Sequence, residues 1–346
     1  MPARPAYAHL GGQLATGLLD ITDDLAALDS AGWWALVVTY EGRAVCARFA
    51  DVRPASPPAA AWPGVVGGRA AWTSSMGRAA YEAAVAVLRE RIAAGDVYQA
   101  NLCRVLSAPL PGGADLAGLA GVLCRGNPAP YAGAVHLPDQ GIDVVSASPE
   151  LFLSRHGDLV ESKPIKGTGR VAADLQDKDA AENVMIVDLV RNDLGRVCAP
   201  GSIDVPALLA VEEHPGLVHL VSTVRGRLRS GLGWTDLLAA AFPPGSVTGA
   251  PKSSALRLIE DLEAGPRGPY CGSVGWVDAD AGRGELAVAI RTFWADAGRL
   301  WFGTGAGITW GSDAAREWDE TELKAELLVA LASEPAGGPE AGTMAR

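Results

Sequence analysis

The sequence predicts a mixed α+β fold that forms one large layered unit. Strand-like apolar runs come in adjacent groups between helices, and this order favours an α+β fold over a strictly alternating βαβ fold. The chain has 346 residues, of which 49% are apolar and 20% charged, so it can bury a large core. No Pro/Ser/Gly-rich linker divides it into two balanced halves, and we therefore expect a single unit.

The individual elements follow from the spacing of apolar residues. Gly32 to Ala50 form two strands joined by a turn at Glu41-Gly42, and Asp51 to Gly68 make an irregular Pro/Ala/Gly-rich connection. Helical spacing predicts helices at Met76–Ala94, Asp179–Leu194, Thr235–Ala241, Lys252–Glu263 and Asp313–Leu331. Further strands are predicted at Tyr98–Leu106, Gly141–Ser146, Leu151–Ser154, His219–Val224, Ser273–Val277, Glu285–Trp294 and Leu300–Gly303.

Composition excludes several classes of function. The net charge of −11 argues against binding along nucleic acid or an anionic membrane, because both favour basic patches. The five cysteines include no Cys-x-x-Cys pair, so neither a disulfide framework nor a zinc site is indicated. Neither a signal peptide nor a run of about 20 apolar residues is present. We therefore expect a cytoplasmic protein without nucleic-acid or membrane partners.

Two predicted helices each carry a pair of carboxylates on one face, since residues three apart are neighbours on a helix. The pairs are Asp179 with Glu182 and Glu317 with Glu320. Either pair could be a solvated acidic stripe. If the two faces meet, the carboxylates repel one another and a cation would remove that repulsion. Oxygen ligands without nearby His or Cys suit Mg²⁺, which is the cofactor we expect.

Three glycine-containing segments could contact a small ligand. Lys166 stands between an apolar residue and a Gly-containing turn, where burial could make it a neutral nucleophile or leave it an ordinary solvated lysine. Thr248 precedes a predicted helix, whose first N–H groups could meet a carboxylate. The Gly303 to Gly307 segment allows close backbone approach. Either of the last two could instead be only a tight turn.

Taken together, these segments resemble the chorismate-utilising enzymes, the family of anthranilate synthase large subunits, aminodeoxychorismate synthase component I, and isochorismate and salicylate synthases. The resemblance is dense from Tyr81 to Leu331. It is carried by Gly95–Leu102, Ser146–Glu150, Pro164–Thr168, Ala181–Asn183, Asp188–Asp193, His219–Thr223, the Thr248 loop, Ile290–Thr292, Gly303–Gly307, and Glu320-Thr321 with Lys324. It implies the anthranilate synthase fold, a layered β-sandwich with flanking helices.

The resemblance also implies roles for individual residues. Glu182 and Glu320 would bind Mg²⁺, with Asp179 and Glu317 close by, and the ion would hold the ring carboxylate of chorismate. Glu150 would be the general acid/base. The residues implied to contact the substrate are Arg291, Tyr270, His219, Thr248, Thr168, Gly305, Ala306, Gly307 and Lys324.

Two positions distinguish members of the family. Members that add water carry a lysine base where this chain has Gln99, which indicates ammonia as the nucleophile. Anthranilate synthases usually have alanine where this chain has Lys166, whereas enzymes that form aminodeoxychorismate have a lysine there, which adds covalently to the ring. The resemblance therefore implies amination of chorismate, with anthranilate synthesis and a non-catalytic docking protein as alternatives.

The family pattern also sets the expected organisation and partner. Residues 1–70 would be a shortened strand region of the same unit, 71–332 the chorismate-binding catalytic region, and 333–346 a disordered tail. The chain has no glutaminase segment with a Gly-x-Cys-x-Gly elbow. Ammonia should therefore come from a separate glutamine amidotransferase subunit or from ammonium salts.

Overall fold

The computed structural model describes residues 4–169, 171–175, 177–214 and 217–336. This part of the chain contains six α-helices, namely α1 (Arg78–Ala93), α2 (Leu116–Gly126), α3 (Asp177–Gly195), α4 (Trp234–Ala241), α5 (Lys252–Leu262) and α6 (Ala314–Ser333). Its strands are β1 (Tyr7–Leu10), β2 (Gln13–Thr22), β3 (Trp33–Val38), β4 (Ala44–Pro54), β5 (Thr73–Ser74), β6 (Gln99–Pro109), β7 (Tyr131–Leu137), β8 (Ile142–Ser148), β9 (Leu151–His156), β10 (Leu159–Lys163), β11 (Ile165–Gly169), β12 (Asp204–His214), β13 (Leu217–Arg227), β14 (Gly249–Ala250), β15 (Ser273–Asp278), β16 (Arg283–Val288), β17 (Thr292–Asp296) and β18 (Arg299–Ile308).

The strands form two antiparallel half-sheets. The first runs β6–β18–β17–β8–β7, with β5 and β14 beside β6. The second runs β4–β3–β15–β16–β9–β10–β13–β12, with β11 also paired to β13. The β1–β2 hairpin joins them, because β1 pairs with β7 and β2 pairs with β4. The two halves are therefore one continuous sheet.

The core is layered between and outside these half-sheets. Side chains of β7 and β8 pack in one cluster with side chains of β3, β4 and β15, as expected for a sandwich. Strand β3 is buried on both faces, since Trp33, Ala35 and Val37 join this inner cluster while Trp34 and Leu36 pack with α3 and α4 outside it. On the other side, α2 and α6 cover the first half-sheet. These layers account for the apolar run that begins at Trp33.

The predicted elements agree with the structure in kind but differ at several places. The segment Glu285–Trp294, predicted as one strand, is two strands, because β16 pairs in the second half-sheet and β17 in the first. The Gly303–Gly307 segment lies inside β18 and is not a turn. Lys166 lies in β11, which was also not expected as a strand. Helix α2 and strands β1, β2, β7, β10 and β12 were not predicted from the apolar spacing.

At the C-terminal end of the described structure, helix α6 continues to Ser333, whose buried hydroxyl accepts a hydrogen bond from the Trp72 indole. Ser333 is thus part of the helix, and a disordered tail beyond it stays a prediction. Residues 337–346 lie outside the described part. Strands β1–β4 belong to the same sheet as the rest, while the division at residue 70 stays a prediction. No helix of the described residues is long and apolar enough to cross a bilayer.

Candidate active site

A buried acid, Glu150, lies in the two-residue link between β8 and β9. Its carboxylate accepts hydrogen bonds from the Ser246 hydroxyl and the Ile165 backbone N–H. Burial raises the pKa of Glu150 from 4.5 to about 7, against the opposing effects of these donors and of the Lys166 ammonium. Glu150 can therefore hold a proton near neutral pH and release it, as a general acid/base requires.

Lys166 lies beside this acid on β11. Its ammonium donates a hydrogen bond to the Ser246 carbonyl oxygen at 3.1 Å, so one residue bonds both Lys166 and Glu150. The charge of Lys166 also opposes the rise in the pKa of Glu182 that burial causes, and it contributes to the lowered pKa of Glu320. A potential nucleophile, a potential proton donor and two carboxylates thus come together from β11, the β8–β9 link, α3 and α6.

The expected carboxylate pairs meet on the two helices. Burial raises the pKa of Glu182, as do the nearby charges of Glu320 and Asp179. Burial would also raise the pKa of Glu320, but Lys324, whose ammonium is 2.7 Å from the carboxylate, outweighs this and the pKa is lowered. The Glu317 carboxyl is buried beside them, and its pKa is raised mainly by that burial.

This arrangement fits a magnesium ion that shares its coordination with a ligand. Within the described ranges, no three His, Cys, Asp or Glu side chains are placed as a complete metal site. Glu182 and Glu320 nevertheless act on each other electrostatically and supply only oxygen donors. Because Mg²⁺ is commonly held by one or two carboxylates together with water and an anionic substrate, two facing carboxylates are a sufficient protein contribution.

Arg291 supplies a positive centre where the chain crosses from β16 to β17. Its φ is 52°, an uncommon value for a residue other than glycine. The backbone N–H of Ala147 donates to the carbonyl oxygen of Arg291 at 3.0 Å, so the Arg291 backbone lies near the end of β8. Glu150 follows three residues after Ala147. Burial lowers the pKa of Arg291, and its side chain forms no ion pair with any described residue. A partly buried guanidinium without a carboxylate partner is suited to binding an anion.

The remaining predicted ligand contacts are distributed around β18 and β13. Lys324 donates to the Gly305 carbonyl oxygen at 3.1 Å, next to Ala306 and Gly307 in β18. Tyr270 packs its ring directly against Gly303, and its hydroxyl lies 3.9 Å from the Cys103 sulfur.

His219 and Thr248 are both buried. His219 lies on β13 opposite Thr168 in β11. The side chain of Thr168 is outside the described part of the structure. The Thr248 hydroxyl donates within its own turn, to the Pro244 carbonyl oxygen at 3.0 Å, so only its lone pairs remain for a ligand. The expectation that this turn precedes a helix is correct, since α5 begins at Lys252.

Two site residues were not identified from the sequence. Ser246 links Lys166 to Glu150, and Asn101 donates to the same Ser246 carbonyl oxygen at 3.3 Å. Alternation along β6 could have indicated Asn101, because residues two apart on a strand share a face and Gln99 was already a candidate. No local signal distinguishes Ser246 from other turn serines.

The fold and the site together define a class of protein, an α+β sandwich in which a buried acid, a lysine and carboxylates from two helices lie close together. The model for chorismate binding enzymes matches residues 39–330 of the sequence. The chain belongs to the chorismate binding enzyme family.

The similar proteins divide between two names, aminodeoxychorismate synthase component 1 and anthranilate synthase component 1. Aminodeoxychorismate synthase component 1 of Klebsiella aerogenes is 40% identical over 86% of this chain and 68% of its own length. An anthranilate synthase component 1 of Haloarcula marismortui is also 40% identical, over 78% of this chain and 56% of its own. Aminodeoxychorismate synthase component 1 of Salmonella typhimurium is 40% identical over 75% of this chain and 59% of its own length. The chain thus spans between about half and two thirds of the length of these relatives.

Solved structures confirm the predicted fold. Anthranilate synthase component I from Streptococcus pneumoniae superimposes with a TM-score of 0.78 at 23% identity, covering 95% of this chain and 93% of that one. The isochorismate synthase MenF from Escherichia coli superimposes with a TM-score of 0.79 at 18% identity, covering 95% of this chain and 89% of that one. The anthranilate synthase type of fold expected from the sequence is therefore correct.

Proposed function

We propose that this chain is component I of an aminodeoxychorismate synthase, which converts chorismate and ammonia to 4-amino-4-deoxychorismate and water. The observation that carries the proposal is the contact of Lys166 and Glu150 with the same residue, Ser246. This places a nucleophilic amine beside a carboxyl group whose pKa is about 7. Curated relatives include enzymes of this name and anthranilate synthases, so Lys166 and Gln99 carry the choice between them.

In the proposed reaction Lys166 acts as a covalent nucleophile. Its unprotonated amine forms a bond to C2 of chorismate, the two conjugated ring double bonds each shift by one position towards C4, and the C4–O bond breaks. Glu150 donates a proton so that the hydroxyl leaves as water. Ammonia then forms a bond to C4, both double bonds return to their original positions, and the C2–N bond breaks to release Lys166. The new C4 ammonium returns one proton to Glu150, which restores the starting state with pyruvate retained.

Glu182 and Glu320 would hold Mg²⁺, with Asp179 and Glu317 beside them. The bound ion would supply positive charge for the ring carboxylate and polarise the leaving hydroxyl. Arg291 supports binding of the second carboxylate of chorismate, because its guanidinium is partly buried without an ion-pair partner among the described residues. We assign Tyr270, His219, Thr248, Thr168, Gly305, Ala306, Gly307 and Lys324 to the walls of the substrate site.

We further propose that a glutamine amidotransferase subunit supplies the ammonia. The relatives are named as component 1 of a synthase, and this sequence contains no glutaminase nucleophile elbow. Free ammonium salts should replace the partner in a test of the isolated chain.

Product identity tests the proposed function. The purified chain with chorismate, Mg²⁺ and ammonium chloride should form a non-aromatic product that becomes 4-aminobenzoate only after a lyase is added. Spontaneous appearance of anthranilate fluorescence would instead identify an anthranilate synthase. Chorismate binding without Mg²⁺ dependence or turnover would identify a non-catalytic docking protein.

A lysine variant tests the covalent role. Lys166→Ala should lower the rate of amination by at least about a hundredfold, since it removes a covalent nucleophile. Lys163→Ala is the matched control, because Lys163 also stands in this segment but pairs with Glu161 and is assigned no role. Equal rates for the two variants would rule out the covalent step.

A carboxylate variant tests the metal assignment. Glu182→Gln should raise the Mg²⁺ concentration for half-maximal activity by about tenfold or more, because one charged ligand is lost. Glu326→Gln is the control, since Glu326 lies exposed on α6 and, among the residues that the structure describes, pairs with Arg69 alone. An unchanged Mg²⁺ requirement in Glu182→Gln would contradict the assignment.

A further inference from the structure

Two buried cysteines are in contact beside the proposed substrate site. Cys103 lies in β6 and Cys271 lies two residues before β15, and these residues are 3% and 0% exposed. The Cys103 thiol donates a hydrogen bond to the Cys271 sulfur. Sulfurs in such contact have to approach each other by only a short distance to form a disulfide.

The surroundings of Cys271 favour its thiolate. Its sulfur accepts the hydrogen bond from Cys103 and a second one from the Tyr270 hydroxyl, and the buried Arg267 guanidinium places a positive charge nearby. Burial would raise the pKa of the Cys271 thiol, but these effects outweigh burial and the pKa is lowered. Burial and the hydrogen bond to Cys271 instead raise the pKa of Cys103 well above its usual value. One thiol is therefore suited to attack, and the other retains its proton.

A surface cavity beside α5 approaches this pair. The cavity has a volume of about 330 Å³, and its walls include Tyr40, Glu263 and Arg267. Glu263 also accepts a hydrogen bond from the Cys103 backbone N–H at 2.8 Å, and it forms an ion pair with Arg267 at 2.6 Å. The ion pair thus contacts both the cavity and the strand that carries Cys103. A small oxidant that enters the cavity therefore comes close to the thiols, whereas burial protects them from bulky reagents.

Oxidation of the pair would act on the proposed substrate site. A Cβ atom placed on Gly305 would lie 2.5 Å from the Cys103 sulfur, so this sulfur rests against the glycine segment of β18. Tyr270, which precedes Cys271, packs its ring against Gly303 in the same strand. A bond between the two sulfurs moves at least one of them, and it therefore disturbs Gly305 or Tyr270.

We propose that Cys103 and Cys271 form a site of reversible oxidation, at which hydrogen peroxide converts the two thiols into a disulfide. The Cys271 thiolate attacks one peroxide oxygen, an S–O bond forms, the O–O bond breaks, and the leaving hydroxide is protonated to water. The Cys103 sulfur then attacks the Cys271 sulfur, the S–S bond forms, the S–O bond breaks, and the leaving hydroxide takes the Cys103 proton. The two thiols lose two electrons, and peroxide is reduced to two water molecules. The oxidation does not depend on the proposed function, whereas its effect on amination rests on it.

Thiol counts after peroxide treatment test this site. The Cys124→Ser variant is used, because it removes the exposed thiol and leaves four buried ones. After treatment, denaturation and alkylation, two free thiols should remain, peptide mapping should find Cys103 joined to Cys271, and dithiothreitol should restore all four. Cys46 is the matched control, because it is equally buried but lies near aspartates instead of an arginine. It should be oxidised at least about tenfold more slowly than Cys271.

Single substitutions separate the two roles. In Cys103→Ala the sulfenic acid of Cys271 should accumulate and react with dimedone, whereas Cys271→Ala should give no adduct at Cys103. An unchanged thiol count, or a disulfide that includes another cysteine, would overturn the proposal. The count in Cys124→Ser decides this even if a variant of a buried cysteine does not fold.

The effect on catalysis is measured separately. At low chorismate concentration, the oxidised chain should aminate at least about tenfold more slowly than the reduced chain, because the substrate site is displaced, and dithiothreitol should restore the rate. Equal rates would overturn the effect on the substrate site. A reduced chain that forms no aminated product would refute the proposed function, while the thiol count would still test the oxidation.

Discussion

Replacement of Glu150 by glutamine should change how the stability of this protein depends on pH. The carboxyl group has a pKa of about 7 in the folded chain against a usual 4.5, chiefly because it is buried. Between these values the folded state binds more protons than the unfolded state, so stability is greatest below the lower pKa and falls as the pH rises towards the higher one. The difference corresponds to a loss of about 3 kcal/mol.

Glutamine cannot ionise, so Glu150→Gln should lack this loss. Urea unfolding at about pH 5 and about pH 8 gives the free energy of unfolding of both proteins. From the lower to the higher pH, the wild type should lose about 2 to 3 kcal/mol more stability than the variant. Glu182 and Glu317 also have raised pKa values, but they are present in both proteins and cancel in the difference. If the two stability curves run parallel across this range, burial does not keep Glu150 protonated and its proposed role as an acid loses its physical basis.

Three further outcomes follow from packing, charge and exposure. Gly303→Ala should lower the free energy of unfolding, measured in urea, by about 1 to 3 kcal/mol, because the new methyl group collides with the buried Tyr270 ring. Gly112 lies in open space, so Gly112→Ala should lower the free energy of unfolding far less. Lys252→Met should lower the free energy of unfolding by about 3 to 5 kcal/mol, because it leaves Asp193 buried without the ammonium that lies 2.7 Å away. The double variant Lys252→Met/Asp193→Leu should recover much of this stability. If the two substitutions have additive effects on the free energy of unfolding, the ion pair is not stabilising. A thiol reagent should modify only Cys124 quickly in the folded protein and all five cysteines in denaturant, and a second fast thiol would contradict the burial of the other four.

Much of the fold was predictable because its apolar patterns are local. The helices α1, α3, α4, α5 and α6 were placed within about two residues, the usual uncertainty of helix ends. Helix α2 was not predicted, since it carries glycines inside its span, which lower helix propensity. One of these, Gly118, is needed because a side chain there would collide with the backbone of Ala61. The requirement comes from a segment distant in sequence and leaves no local pattern.

The division of Glu285–Trp294 into two strands was unpredictable for a similar reason. Residues from Leu286 to Ala289 are buried in the second half-sheet, and Thr292 and Phe293 are buried in the first. Burial on both sides of the crossing produces one continuous apolar run, in which only Arg291 interrupts the pattern. Which half-sheet each part joins depends on partners more than a hundred residues away.

The site was predictable as a set of residue types but not as an arrangement. Lys166 and Glu182 were noted from their sequence surroundings and Glu150 from the family motif, and in the structure the charge of Lys166 acts on both carboxyl groups. The contacts of Lys166 and Asn101 with the Ser246 carbonyl oxygen depend on which segments lie side by side. Strand pairing between distant segments cannot be derived from alternation within one of them.

The glycines of β18 have a consequence for how the sheet assembles. Gly303, Gly305 and Gly307 alternate along the strand and face the Tyr270 ring, the Cys103 sulfur and the Gln99 amide. Slippage of β18 against β6 by one residue would turn Thr304 and Ala306, the side chains between the glycines, towards these groups and produce collisions. The glycines that leave space for these three side chains thus also disfavour the wrong strand register, so a misaligned chain is hindered from completing this part of the sheet.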